Sequence, residues 1–130
     1  MTSGRPAAEV RGGASPAPAP ARQDVPVPRV VFLIDSLGWG GAERLLLQYL
    51  PYLRDEGFDP VVCAMQERSG NPVAEEIGRL GIRVDRVAVE RLRDLSAIPR
   101  LVRYLRAVRA DVLHTQLEFA DGLGSVAARR

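Results

Sequence analysis

The sequence predicts an α/β fold built on an open parallel sheet with helices on both faces. Four short apolar runs rich in β-branched residues alternate with helical patterns along residues 29–130. Strands that alternate with helices in this way form parallel sheets joined by right-handed crossovers. The first run, residues 30–34, is apolar at every position, which is typical of a strand buried on both faces.

The first strand–helix unit begins with that run. Residues 30–34 end at a glycine-rich turn, and residues 42–56 predict the first helix, which Gly57 ends. The apolar face of this helix is formed by Leu46, Leu50 and Leu53.

The second strand is predicted over residues 60–65, and the third lies within residues 82–89. Between them lies a short helix. Asn71 is expected to cap it, Pro72 occupies its first position and Gly81 ends it.

The last third of the chain repeats the pattern. Ser96 is expected to cap a third helix, residues 111–114 form a short fourth strand, and a fourth helix begins at Ala120. The apolar stripe of the third helix consists of Ile98, Leu101, Val102, Leu105 and Val108. Its other side is predicted to be a solvated face that carries Arg100, Arg103, Arg106 and Arg109.

Residues 1–28 differ in composition from everything that follows. Prolines alternate with small or β-branched residues over residues 14–21 and 25–28, and proline removes backbone donors and fixes φ. The segment lacks the large apolar side chains that would offset the entropy of ordering. We therefore expect a disordered or polyproline-II-like tail, followed by one domain over residues 29–130.

Composition narrows the classes of function. The 130 residues are 46% hydrophobic and 26% charged, with a net charge of +2. The arginines are spread among acids and aromatics are sparse, so no nucleic-acid partner is expected. No segment approaches the ~20 apolar residues that span a bilayer. We expect a cytoplasmic protein, with peripheral contact at the inner membrane face left open, and a buried, unreactive Cys63.

The glycine turn after the first strand is the strongest candidate for a ligand site, because ligands bind at the carboxyl ends of parallel strands. Gly38, Gly40 and Gly41 would let backbone N–H groups approach an anion beside a helix N-terminus. The spacing matches neither a Walker A loop nor Gly-x-Gly-x-x-Gly. A phosphate cradle and a tight turn without a ligand both remain open.

Two side chains beside this turn have alternative interpretations. Glu43, in the first turn of the helix, could stabilise the helix dipole or accept hydrogen bonds from a sugar hydroxyl. Trp39 has little reason to serve core packing in a glycine-rich loop. It could stack on a sugar or base, or cover the helix.

Four segments, in the correct order and spacing, together resemble the GT4-family glycosyltransferases. They are residues 40–44 (GGAER), 57–62 (GFDPVV), 80–84 (LGIRV) and 110–116 (ADVLHTQ). The resemblance covers residues 29–130 and implies the first, N-terminal Rossmann-like domain of a GT-B fold, in which two such domains face a cleft.

The resemblance also implies a function and a set of site residues. The activity would be retaining transfer of a sugar from a nucleotide-sugar donor to a glycan, lipid or small-molecule acceptor, without a metal ion or other cofactor. Gly40 and Gly41 would line the donor-phosphate side of the cleft. Glu43 would contact the acceptor or brace the loop, Trp39 would lie beside them, and His114 would lie next to the transferred sugar in a positioning role.

The sequence departs from the family pattern at three points. Pro51 lies inside the first helical pattern, so we expect a kink or an early end there. Gln116 stands where many members carry a second histidine. The chain ends at Arg130, before the Glu-x7-Glu region and the donor domain, so the isolated chain is expected to be inactive and to expose apolar surface.

Two non-transferase alternatives stay open at this point. Asp35, at the end of the first strand, is compatible with a stand-alone flavodoxin-like or receiver-like module, although no convincing phosphorylatable Asp follows the third strand. A nucleotide-binding oxidoreductase would use the acid at Glu67 after the second strand, but the glycine spacing does not fit a dinucleotide fingerprint.

Overall fold

A computed structural model describes residues 26–91, 94–116 and 118–130. The tail predicted over residues 1–28 lies almost wholly outside these described residues. Strands and helices alternate as β1 (Arg29–Ile34), α1 (Gly41–Asp55), β2 (Asp59–Ala64), α2 (Pro72–Arg79), β3 (Arg83–Arg86), α3 (Ala97–Ala107), β4 (Val112–Gln116) and α4 (Glu118–Ala127). The predicted order of elements is therefore confirmed.

The sheet has the strand order β3-β2-β1-β4, and every neighbouring pair is parallel. Ile34, the last residue of β1, pairs with Ala64 on one side and with Gln116 on the other. This confirms the predicted open, Rossmann-like parallel sheet. It also places β4 at one edge of the sheet and β3 at the other.

The two central strands hold the core on both faces of the sheet. β1 and β2 each bury five of their six residues. Because successive side chains of a strand point to opposite faces, Val31 and Leu33 pack toward α3 and α4. Phe32 and Ile34 pack toward α1 and α2. The uninterrupted apolar run of β1 follows from this two-sided burial.

The two edge strands compare differently with their predicted positions. β3 was expected within residues 82–89, and it pairs with β2 over Arg83–Arg86, inside that range. β4 was expected to end at His114, but it continues to Gln116, as far as β1 runs beside it.

The glycine stops are confirmed, whereas both side-chain caps are wrong. Gly57 and Gly81, after α1 and α2, have φ values of 93° and 77°, which favour glycine. Asn71 and Ser96 make no capping hydrogen bond. The Asn71 side chain is engaged by a neighbouring loop instead, and Asp94 Oδ1 accepts the Ser96 N–H at 3.1 Å ahead of α3.

Of the kink and the early end expected at Pro51, the early end is wrong, because helix α1 continues through Pro51 to Asp55. The kink stays a prediction. Leu46 and Leu50 are buried before the proline, and Leu53 packs on the same cluster after it. Burial on both sides of Pro51 offsets the backbone hydrogen bond that the proline removes.

Part of the molecular surface is apolar, as expected. On the side of α1 that is turned away from the core, large side chains recur at helical spacing and are at least half exposed. They are Leu45, Tyr49 and Tyr52. Val112, the first residue of β4, is 49% exposed.

Candidate functional site

The carboxyl ends of β1 and β4 lie side by side where the strand order reverses. Crevices at this position of an open α/β sheet are the usual ligand sites. Asp35, the first residue after β1, joins the two ends, because its Oδ1 accepts the backbone N–H of Ala120 in α4 at 2.7 Å. The loop after β1 and the start of α4 are thus fixed to one another across the reversal.

The glycine turn is shaped by a close approach between Gly40 and Glu43. Gly40 precedes α1 in an extended conformation, with φ −136°, so left-handed backbone does not explain the glycine. A Cβ added there would lie 3.0 Å from Glu43 Cδ and closer still to Oε2. Glu43 is only 6% exposed. This geometry favours Glu43 as a brace that holds the turn against the first turn of α1.

Gly41 differs from Gly40 in its surroundings. A Cβ built on Gly41 would meet nothing within 4 Å, and the residue is exposed. Nothing in the chain's own packing therefore demands glycine at this position. The space above Gly41 is open for an approaching group.

Trp39 does not belong to the core. Its side chain is 58% exposed, and the Arg44 guanidinium carbon lies 5.9 Å from the centroid of the indole ring. A cation over an indole face is a favourable contact. The contact holds an accessible aromatic surface and a positive charge beside the glycine turn.

Asn71, which was expected to cap α2, instead holds the loop after β2 together. Its Oδ1 accepts the backbone N–H groups of Leu37 and Arg68 at 3.2 and 2.9 Å, and its Nδ2 donates to the Gln66 carbonyl at 3.0 Å. Its φ of 49° is left-handed, a conformation that asparagine tolerates better than most residues. Asn71 thereby ties the loop after β1 to the loop after β2. An asparagine directly before Pro72 was the only sequence signal of a special backbone position here.

His114 lies apart from the glycine turn along the strand direction. It pairs with Phe32, two residues before the carboxyl end of β4, and the two rings are 5.0 Å apart between centroids. Since Phe32 packs in the α1–α2 layer, His114 is on that face of the sheet. The residue is exposed. Its imidazole is therefore accessible, but it lies about 7 Å below the strand end by the usual rise per residue.

Gln116 is the polar side chain of β4 that reaches the carboxyl end. It pairs with Ile34, directly before Asp35. Its Oε1 is buried and accepts no hydrogen bond within the described structure. An unsatisfied buried acceptor costs about 1–3 kcal/mol, so a donor from a ligand or another part of the polypeptide would stabilise this position.

Cys63 lies outside the site, in the middle of β2, and is buried as predicted. Burial raises the pKa of its thiol to about 12, although hydrogen bonds from Tyr104 and the backbone act in the opposite direction. A thiol with this pKa stays protonated at neutral pH, which supports a packing role.

Two further observations concern metals and membranes. Among the described residues, no three His, Cys, Asp or Glu side chains cluster closely enough to hold a metal ion. None of the helices in the described ranges combines the length and apolarity needed to cross a bilayer.

Comparison with known proteins assigns the family. The model of Glycosyltransferase Family 4 matches residues 39–130, from Trp39 in the glycine turn to the last residue. The chain belongs to glycosyltransferase family 4. The match includes the glycine turn, Glu43 and His114, and so confirms the resemblance seen in the four sequence segments.

A solved structure similar to this family 4 chain is a glycosyltransferase from Rickettsia africae ESF-5. The TM-score is 0.64 at 16% sequence identity, with 81% of this chain and 27% of that chain covered. At this identity the likeness supports the fold. The family 4 chain spans about a quarter of the length of the Rickettsia chain. No curated protein sequence is significantly similar to it.

Proposed function

We propose that this chain is the acceptor-binding, N-terminal part of a retaining glycosyltransferase with a GT-B fold. The complete enzyme would transfer a sugar from a nucleotide-sugar donor to a glycan, lipid or small-molecule acceptor, in the cytoplasm and without a metal ion. The observation that carries the proposal is the Asp35–Ala120 hydrogen bond. It joins the residue after β1, which leads into the glycine turn, to α4, which lies within the range that the family model matches.

In this proposal the donor diphosphate approaches the backbone at Gly40 and Gly41. The open space above Gly41 and the start of α1 supply the two requirements of an anion site, namely access and a partly positive helix end. The buried Glu43 side chain packs against Gly40 and would hold the glycine turn in position. Because the Glu43 carboxyl group lies beside Gly40, the diphosphate would come nearer to the open Gly41 than to Gly40.

The acceptor side would use Trp39 and His114. The exposed indole offers an apolar face on which a sugar ring can stack, held in place by Arg44. A neutral imidazole at His114 can donate to one hydroxyl and accept from another. In a retaining transferase the leaving phosphate can take the acceptor proton, so we assign His114 a positioning role. The buried Oε1 of Gln116 would accept a hydroxyl or amide donor nearby.

The isolated chain would bind a donor nucleotide weakly and transfer no sugar, because a second domain supplies most donor contacts in this proposal. The test is a titration of the 15N-labelled chain with UDP and with GDP, followed by NMR. We expect amide shifts concentrated at Gly40 and Gly41, unchanged by a chelator.

Gly41→Ala is the sharpest variant, because its added methyl group meets nothing inside the protein and blocks only the outer approach. We expect it to weaken nucleotide binding about tenfold while the fold is preserved. Gly78→Ala is the matched control, since a Cβ there also meets nothing within 4 Å but lies on α2. Tighter binding of NAD or flavin than of UDP or GDP would instead support a dinucleotide-binding module. If Gly41→Ala and Gly78→Ala weakened nucleotide binding equally, the glycine turn would not be the nucleotide-binding site.

A further inference from the structure

The outer side of α1 carries apolar side chains that no part of the described structure covers. Leu45, Tyr49 and Tyr52 are each at least half exposed. Their spacings of four and three residues place them on one side of the helix. Single exposed apolar residues are normal on a protein surface, whereas a contiguous patch indicates an interaction site. We call these three residues the tyrosine stripe.

The N-terminal segment of the chain enters the domain near the tyrosine stripe. Helix α1 joins two parallel strands, so it runs back from the carboxyl end of β1 to the amino end of the sheet. Tyr52 therefore lies toward the end at which β1 begins. The chain arrives there at Pro28, whose carbonyl accepts the Asp59 N–H at 2.9 Å. Val27 and Phe58, which flank this bond, are also exposed apolar residues.

The segment that leads to Pro28 has the composition of a ligand for aromatic surfaces. Residues 14–21 have proline at every second position from Pro16 to Pro20, and they carry no charge. Proline-rich segments bind grooves lined with aromatic side chains, because their polyproline II conformation is largely formed before binding.

The length of the intervening chain permits this contact. Eight residue steps separate Pro20 from Pro28, and in polyproline II they would reach about 25 Å. The 15 residues of α1 form a helix that is about 22 Å long. Pro20 can therefore reach any part of the tyrosine stripe.

We propose that residues 14–21 bind the tyrosine stripe of the same chain in the polyproline II conformation. Proline rings stack on Tyr49 and Tyr52, and Leu45 extends the apolar surface. Weak contacts are sufficient, because a short linker gives an effective concentration of the order of mM. A second copy of the chain lacks this advantage. Docking covers an apolar patch that would otherwise promote association, and it is a separate property from sugar transfer.

Paramagnetic broadening in the full 130-residue chain tests the docking. A nitroxide is attached through Ala19→Cys. Cys63 does not compete for the label, because it is buried and its thiol, with a pKa of about 12, stays protonated. We expect broadened 15N amides at Tyr49 and Tyr52. The amides of α3, which packs on the opposite face of the sheet, should keep their intensity. Because both partners are uncharged, added salt should leave this pattern unchanged.

Substitutions in the stripe measure the contribution of the two rings. Tyr49→Ser combined with Tyr52→Ser should reduce the equilibrium constant for docking at least about fivefold, as expected for aromatic residues at the centre of a contact. Leu95→Ser is the matched control, because it removes an apolar side chain that is 72% exposed just before α3. This variant should dock as the parent does.

Substitutions in the proline-rich segment test the other partner. Replacing Pro16, Pro18 and Pro20 together by alanine removes the stacking rings and the preformed conformation, so docking should again weaken at least about fivefold. This variant leaves the sequence of α1 intact. It therefore tests the proposal even if serine at Tyr49 and Tyr52 weakens the helix.

Three results would overturn the proposal. Unchanged broadening in the alanine variant would mean that residues 14–21 pass near α1 without binding it. Equal broadening of α1 and α3 would mean that the segment prefers neither surface. Nitroxide-labelled chains without 15N are also mixed with 15N-labelled chains without nitroxide. If the tyrosine stripe were broadened in that mixture as strongly as within one chain, the occupant would be the segment of a second copy.

Discussion

The central strand β1 and its neighbour β4 are equally regular in hydrogen bonding and unlike in burial. β1 buries five of six residues, with Leu33 and Ile34 fully inaccessible. None of the five residues of β4, all of which the structure describes, reaches that degree of burial. Burial dictates apolar side chains along β1. It leaves β4 free to carry His114 and Gln116 next to the crevice, so the region that stabilises the fold is separate from the region available for chemistry.

Substitutions at a buried position of β1 and at an exposed position of β4 should show the largest contrast. Leu33→Ala removes a side chain that is packed on every side, and we expect it to lower the free energy of unfolding by about 2–5 kcal/mol. Val112→Ala, at the exposed start of β4, should change it by less than about 0.5 kcal/mol. Urea denaturation of both variants measures the difference.

Equal losses in these two variants would contradict the separation. They would mean that Val112 is covered in solution, for example by a second copy of the chain. Sedimentation velocity on the same samples distinguishes that case from a monomer.

The same contrast explains what could be predicted from the sequence. The apolar run of β1 predicts a central strand, because a strand that is buried on both faces needs an apolar side chain at every position. Edge strands bury one face at most, so the ends of β3 and β4 depend on how far the neighbouring strand runs, which their own residues do not encode. The capping roles of Asn71 and Ser96 failed because other groups engage these residues. The Ser96 N–H bonds to Asp94, two residues earlier, and the Asn71 side chain bonds within its own loop and to Leu37.

The site was predictable to a similar extent. Gly40, Gly41 and Glu43 are neighbours in sequence, so their local geometry follows from one turn of chain. The Asp35–Ala120 bond spans 85 residues and could not be read from spacing. Gln116 was noticed only as a departure from the family pattern. Its buried Oε1 becomes informative only once the register with Ile34 is known.

Helix α4 offers a second, smaller test at the boundary between the two strands. A Cβ on Gly124 would lie 2.6 Å from Thr115 Cγ2 on β4 and 3.0 Å from Leu33 Cδ2 on β1. Gly124→Ala should therefore lower the free energy of unfolding by about 1–3 kcal/mol through overpacking.

Gly122→Ala is the internal control for this prediction. A Cβ on Gly122 meets nothing within 4 Å, and alanine is the better helix former, so this variant should gain roughly 0.5–1 kcal/mol. Thermal melts of the two variants should shift in opposite directions. A destabilised Gly122→Ala would mean that α4 packs differently from the arrangement described above.

The smallest predicted effect concerns the link between the two strands. Asp35→Ala removes the acceptor for the Ala120 N–H, a loss of about 1 kcal/mol for a side chain at a helix N-terminus. Asp35→Asn keeps an oxygen acceptor and should lose less. Hydrogen exchange locates the effect, because the Ala120 amide should exchange faster in Asp35→Ala while the amides of β2 are unchanged. Uniformly faster exchange would show that Asp35 supports the whole sheet. A local change would show that the crevice can loosen on the β4 side while the central strands stay intact.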